Sequence, residues 1–164
     1  VRAAAAETAA VRRRVRLIDS VLSDDDLAWL YRSADALVAP YRGEGFCLPA
    51  LEAMACGTPP ILPRAGAALD YATPETALLV AAAVTPAGDR VDGMALAAQG
   101  LICEVSPGAL RQTMRWAYEH RSELRRTGDR GAAHVHAHFT WEHAARAANA
   151  RLKQLLGSEK GAVH

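Results

Sequence analysis

The 164-residue chain has little of what several large classes of protein depend on. Aromatic residues make up only 5% of it, and just two are phenylalanine. Thirty-six residues are alanine, so larger apolar side chains supply only about three tenths of the chain. That argues against a thick β-sandwich core and for closely packed, alanine-rich helices. Cysteine is scarce and odd in number. Cys47, Cys56 and Cys103 show no CxxC spacing, which argues against a disulfide framework and suits reduced thiols in a cytoplasmic protein. No apolar run reaches the ~18–20 residues that span a bilayer. Charge bias is also missing: 19 basic and 18 acidic residues leave a net charge of +1. This excludes the strongly basic composition of a protein built to grip nucleic acid, and the high net charge of a disordered one. The start, Val1-Arg2 and four alanines, carries neither an initiator methionine nor the apolar stretch of a signal peptide. The chain is therefore expected to begin inside a longer one.

What is present reads as alternating elements. Residues Ala3 to Arg14 favour a helix, and a β-branched run follows at 15–18. Ser23 before Asp24, Asp25 and Asp26 opens a second helix, since acids in a first turn face the positive end of the dipole. That helix is expected to end near Ser33. Ala36 to Ala39 reads as a buried strand stopped by Pro40. A helix then runs from Pro49 to Cys56, bracketed by the proline and by Gly57, and a strand follows at Ile61 and Leu62. Strand, helix, strand makes a βαβ unit and hence a parallel sheet. A further strand is expected at Ala77 to Val80, an excursion around residues 86–89, and helices from Ser106-Pro107, from Ser122 as a cap, and from Thr140. The expected architecture is α/β: a Rossmann-like parallel sheet flanked by helices, in one partial domain over residues 1–156 with a frayed tail at 157–164.

The informative stretch is Tyr41 to Glu52. In doubly wound sheets ligands bind at the carboxyl ends of the strands, and Glu44 lies in a loop that leaves such an end. Gly43 and Gly45 are expected to allow a sharp turn and close approach to backbone amides. The amides of Gly45, Phe46, Cys47 and Leu48 lead into a helix N-terminus, a ready anion site. Glu52 is expected in the first turn of that helix, and a carboxylate offers two acceptor oxygens to vicinal hydroxyls. Amides that hold phosphate beside carboxylates that hold diols describe a sugar-nucleotide pocket.

The string Glu44-Gly45-Phe46-Cys47-Leu48-Pro49-Ala50-Leu51-Glu52, continued by Ala53 to Pro59, resembles the Glu-x7-Glu signature of retaining glycosyltransferases. These form the family 4 group of the two-domain GT-B fold. The resemblance implies the C-terminal, donor-binding half of such an enzyme, truncated at its N-terminus. It implies that Glu44 is catalytic and contacts the donor sugar, that Gly45, Phe46, Cys47 and Leu48 bind sugar and diphosphate, and that Glu52 holds the nucleotide ribose. The implied reaction moves a hexosyl group from a nucleoside-diphosphate sugar to an acceptor hydroxyl with retention. Sugars, glycans or lipid-linked molecules would accept, and a separate N-terminal domain of the same protein would hold them. No metal or other cofactor is expected, and the implied location is the bacterial cytoplasm or the inner face of its membrane.

Two departures stand out. Cys47 occupies a position where the family most often has glycine, and the family's phosphate-binding basic pair is not found upstream. Arg12, Arg13, Arg14 and Arg16 read as a basic helix end. Two other readings therefore stay open: a non-catalytic sugar-nucleotide-binding or interaction module, and a hydrolase that uses Glu44 and Glu52 as an acid/base pair. Elsewhere, Asp70-Tyr71 is a candidate border of an acceptor or interdomain cleft, against a plain structural role. Arg42 and Arg64 follow strand ends, where exposed arginine is the default and phosphate contact the alternative. Arg121, Arg125 and Arg126 read as a solvated face, with membrane-surface attachment the lesser reading. Trp29, Trp116 and Trp141 are expected to pack in the core or between helices. His134, His136 and His138 would point apart on a helix, which argues against a zinc site.

Overall fold

The structure, a computed structural model, describes residues 14–91, 94–95 and 100–158. The helix expected over residues 3–14 lies almost wholly outside these, as does the tail at 159–164. The β-branched run at 15–18 forms no strand, and Val15, Leu17 and Ile18 are exposed.

The first helix, α1 (Asp24–Ser33), begins as its sequence dictates: the Ser23 hydroxyl accepts from the Asp26 amide at 3.2 Å. Then come β1 (Leu37–Val38), α2 (Leu48–Ala55), β2 (Pro60–Pro63) and, after a single 3₁₀ turn at Ala67–Asp70, β3 (Leu78–Val80). The three strands form one parallel sheet in the order β1-β2-β3, with Leu37 opposite Pro60 and Ile61 opposite Leu78. β1 is shorter than expected and not buried. It occupies the sheet edge, and Val38 is 36% exposed. The central strand β2 is buried at all four positions and carries its prolines at its two ends, where they cost the ladder least.

The two faces of β2 feed two cores. Leu62 joins Ala50, Met54, Tyr71 and Val135 in one cluster, whereas its neighbour Ile61 joins Val80, Ala117 and Leu124 in the other. Alternation along a strand puts adjacent side chains on opposite faces, so the sheet is covered on both sides. α2 fits one face because Ala50 and Ala53, fully buried, bring its backbone close. It ends in a Schellman turn: the Gly57 amide donates to Met54 and the Thr58 amide to Ala53. Gly57, at φ +81, supplies the left-handed residue that such a turn requires.

The excursion after β3 contains strands the sequence did not signal. β4 (Ala82–Pro86) pairs antiparallel with β7 (Leu101–Val105), and β5 (Arg90–Val91) pairs with β6 (Met94–Ala95). Helices α3 (Pro107–Glu119), α4 (Arg121–His138) and α5 (Trp141–Ser158) complete the chain. Ser122 is not a cap. His120 alone joins α3 to α4, with its ring stacked on Trp116 at 4.7 Å. Trp29 and Trp141 are surface residues, 66% and 89% exposed, and Trp116 is 37% exposed. Tryptophan at helical spacing marked a solvent face here, not a core.

Candidate functional site

One loop, residues 39–47, crosses the carboxyl edge of the sheet between β1 and α2. Three anchors hold it. The Tyr41 hydroxyl donates to the Ala65 carbonyl at 2.8 Å, and its ring lies on Gly66. A Cβ at Gly66 would sit 3.2 Å from that ring, and the backbone there, φ +85 and ψ −170, is open to little but glycine. The second anchor comes from β7. The Cys103 amide donates to the Arg42 carbonyl at 2.7 Å, its thiol donates to the Tyr41 carbonyl at 3.0 Å, and Glu104 pairs with the Arg42 guanidinium. Arg42 is thus engaged by an acid, and Arg64 lines a different groove with Leu79, Thr113 and Trp116.

The third anchor is Tyr71, 1% exposed. Its hydroxyl donates to the Phe46 and Cys47 carbonyls at 3.0 and 2.9 Å, and its ring packs on Phe46 at 5.1 Å. Tyr71 is therefore a core residue that fastens the loop from beneath, the structural role that was set against a cleft border for it. Asp70 beside it is exposed.

Between these anchors Glu44 stands exposed, and Gly43 and Gly45 leave open space around an added Cβ. Neither glycine has a positive φ; the left-handed residue of the loop is Cys47, at φ 63 and ψ 58. The conformational freedom expected of the glycines is thus demanded of a cysteine instead. Burial pushes the Cys47 thiol above its ordinary value, and the Glu44 carboxylate adds to that rise. Among the described residues no carbonyl takes up the amides of Gly45, Phe46 or Cys47. They lead into the N-terminus of α2.

Glu52 is the fifth residue of α2, so it lies past the first turn, which holds no acid. The helix starts at Leu48, one residue before the proline, and that shift moves Glu52 into the second turn. It is exposed, and it accepts a hydrogen bond from the Tyr31 hydroxyl of α1 at 3.1 Å. Burial, with the neighbouring carboxylate second, pushes the Tyr31 hydroxyl up to about 12. Glu52 also borders a groove of about 620 Å³ that Phe46, Leu48 and Leu51 share with Phe139 and Trp141 of the α4–α5 corner. The structure therefore brings Phe46, Leu48 and Glu52 onto one groove and leaves Glu44 outside its lining. Tyr31 sits in α1, 21 residues before Glu52, and the one signal it carries in the sequence is the polar tip of an otherwise apolar side chain.

Among the described residues no group of three or more histidine, cysteine or acidic side chains is placed to hold a metal ion. His136 contacts the Ala55 carbonyl at 3.1 Å, and the His134 and His138 rings lie 5.1 Å apart. No described helix is long and apolar enough to cross a membrane.

A parallel sheet covered on both faces, with its candidate site at the carboxyl edge, defines the class, and comparison with known proteins places the chain within it. Residues 2–104 match the family of glycosyl transferases group 1, and the chain belongs to that family. It is 38% identical over 126 residues to an MMP alpha-(1->4)-mannosyltransferase of Mycolicibacterium hassiacum, covering 77% of this chain and 26% of that protein. It is 34% identical over 122 residues to a D-inositol 3-phosphate glycosyltransferase of Rhodococcus jostii, covering 74% of this chain and 22% of that one. The chain thus spans about a quarter of the length of the curated relatives it matches. Its fold is similar to that of a sucrose-phosphate synthase of Thermosynechococcus elongatus, with a TM-score of 0.71 and 27% identity over 91% of this chain and 32% of that chain. A C-terminal domain of a group 1 glycosyl transferase from Francisella tularensis shares the fold at a TM-score of 0.52 and 21% identity, over 76% of this chain and 53% of that one.

Proposed function

We propose that this chain is donor-binding machinery of a glycosyltransferase that moves a hexosyl group from a nucleoside-diphosphate sugar to an acceptor hydroxyl with retention. The observation that carries this reading is the carboxyl-edge loop, whose unengaged amides at 45–47 open into α2 one turn before Glu52. Those amides and the α2 dipole face the diphosphate and stabilise charge developing on it as the sugar leaves. Glu52 receives the ribose hydroxyls. Glu44, on the exposed loop, receives hydroxyls of the donor sugar and is the catalytic residue of the pair. Phe46, Cys47 and Leu48 shape the wall between them. The acceptor is held by another part of the same protein, and protein cations take the place of a metal. Family membership and relatives named as a mannosyltransferase and an inositol-phosphate glycosyltransferase support a hexosyl donor.

The test is calorimetric titration of the complete gene product with UDP-, GDP- and ADP-sugars, followed by transfer assays. Glu52→Ala is expected to weaken nucleotide affinity about tenfold or more, as the loss of charge-assisted hydrogen bonds does. Glu44→Ala is expected to spare nucleotide affinity and to depress transfer. Binding without transfer by the intact protein would instead identify a non-catalytic binding module. No binding by the folded protein would remove both readings.

A further inference from the structure

Glu52 is exposed, yet one of its oxygens already has a partner. The Tyr31 hydroxyl reaches from α1 to Glu52 Oε2. Tyr31 is in turn fixed by the turn that ends α2: Thr58, 2% exposed, donates its hydroxyl to the Tyr31 carbonyl at 2.6 Å. The Thr58 amide closes the Schellman bond to Ala53. A single helix therefore grips one residue of α1 twice, through Glu52 in its second turn and through Thr58 just past its end.

Packing alone does not require this hydroxyl. The Tyr31 ring is half-buried, and a phenylalanine would fill the same space. The only hydrogen bond the phenol makes among the described residues is to the Glu52 carboxylate. An exposed glutamate samples many rotamers, and each must be given up when a ligand binds. A donor on Oε2 removes most of that freedom beforehand. It leaves Oε1, and the second lone pair of Oε2, to accept from two neighbouring hydroxyls. The phenol also holds its proton well beyond neutral pH, because burial pushes it up to about 12, so at neutral pH it is a donor.

We propose that Tyr31 is a positioning residue of the donor site, which sets Glu52 in the orientation that receives the vicinal hydroxyls of a ribose. The inference rests on the reading of Glu52 given above. Tyr31 touches no substrate; it acts by fixing the carboxylate before the nucleotide arrives, which is preorganisation in the ordinary sense.

The experiment separates the proposal from the reading beneath it. Dissociation constants are measured by calorimetry on the complete gene product for UDP, GDP and ADP, and for the 2′-deoxy counterpart of whichever binds tightest. Wild-type protein is expected to favour the ribonucleotide by about tenfold, the value of one good hydrogen bond to a charged group. Tyr31→Phe is expected to keep affinity for the deoxy form within about twofold while the preference shrinks to about threefold or less. Glu52→Ala is expected to abolish the preference. Thr58→Ser, which keeps the hydroxyl, should behave as wild type, and Thr58→Val should follow Tyr31→Phe. A Tyr31→Phe protein that retains the full preference overturns the proposal. So does one that weakens both nucleotides equally, because that marks a merely structural role. If Glu52→Ala retains the preference, or no nucleotide binds to folded wild type, the ribose reading of Glu52 fails and the proposal falls with it.

Discussion

The buried hydroxyl of Tyr71 donates to the Cys47 carbonyl at 2.9 Å, fastening the one non-glycine residue among those described that has a positive φ. Left-handed backbone costs a residue with a Cβ about 1–2 kcal/mol. Something must hold it there, and Tyr71, packed on Phe46 and Phe139, does so from the core.

Substitution at Cys47 should therefore break the usual order for buried positions. Cys47 is 5% exposed, and at an ordinary buried site Cys→Gly is more harmful than Cys→Val. Here glycine relieves the strain and loses a small buried side chain, so the two effects largely cancel. Cys47→Gly is expected to stay within about 1 kcal/mol of wild type. Cys47→Val places a β-branched residue where such residues are true outliers and should cost at least about 2 kcal/mol. Urea denaturation of both variants gives the order directly, and a valine variant as stable as the glycine one would refute it.

Tyr71→Phe removes the hydroxyl and keeps the ring. The Cys47 carbonyl retains the Ala50 amide, but the Phe46 carbonyl loses its partner. A loss of about 1–2 kcal/mol at neutral pH is expected. The same phenol gives the protein an alkaline limit. Burial raises Tyr71 and Tyr31 above their ordinary value of 10.0. Above pH 10 the unfolded phenols ionise while the folded ones keep their protons, so the native state binds more protons and stability falls as pH rises. The contribution is fully present below pH 10. Unfolding free energies measured between pH 8 and 12 should decline in wild type and decline less steeply in Tyr71→Phe.

Much of this frame was legible in the chain. The Ser23 cap, the helix closed by Gly57 and the parallel order of the strands around it all follow from local chemistry, and each appears where that chemistry placed it. Strands β4 and β7 were not legible, because β4 has only Val84 and Thr85 between alanines and a proline, and its register comes from a partner 15 or more residues away. The site divides in the same way. Glu44 and Glu52 stood out within the string that runs on to Pro59, whereas Tyr31, Tyr71, Cys103 and Glu104 act on the loop and helix from distant parts of the sequence. Their roles exist only once the chain has folded. The exposed Trp29 and Trp141 illustrate the converse: periodicity names a face without saying whether anything covers it.

Thiol reactivity offers a direct reading of burial at the loop. Cys47 and Cys103 are both 5% exposed, and burial raises both thiols, while Cys56 at the end of α2 is only partly buried. Alkylation proceeds through the thiolate, so a raised value and poor access act in the same direction. Iodoacetamide at pH 8 is expected to modify Cys56 first in the folded protein and to reach Cys47 and Cys103 only on a far slower timescale. Mass spectrometry of peptides after timed quenching gives the order. Early labelling of Cys103 would mean that β7 does not hold the loop as described.

Two helical glycines should respond to alanine with opposite signs. Gly128 sits in α4, where a Cβ would lie 2.1 Å from the Gly57 carbonyl oxygen and 3.0 Å from Pro59. Both are backbone or ring atoms of the turn that ends α2, so neither can swing aside. Helix propensity alone would favour alanine there by about 1 kcal/mol. The clash forces α4 off α2 instead, and overpacking of this kind costs about 1–3 kcal/mol or more. Gly108, in the first turn of α3, meets only the Ser106 hydroxyl at 3.5 Å, an ordinary contact, and is exposed. Gly108→Ala should gain about 0.5 kcal/mol by stiffening the unfolded chain. Gly128→Ala should lose at least about 1 kcal/mol net of propensity. Thermal melting of the two variants side by side decides the matter. Equal shifts would show that α4 does not pack on the Gly57 turn.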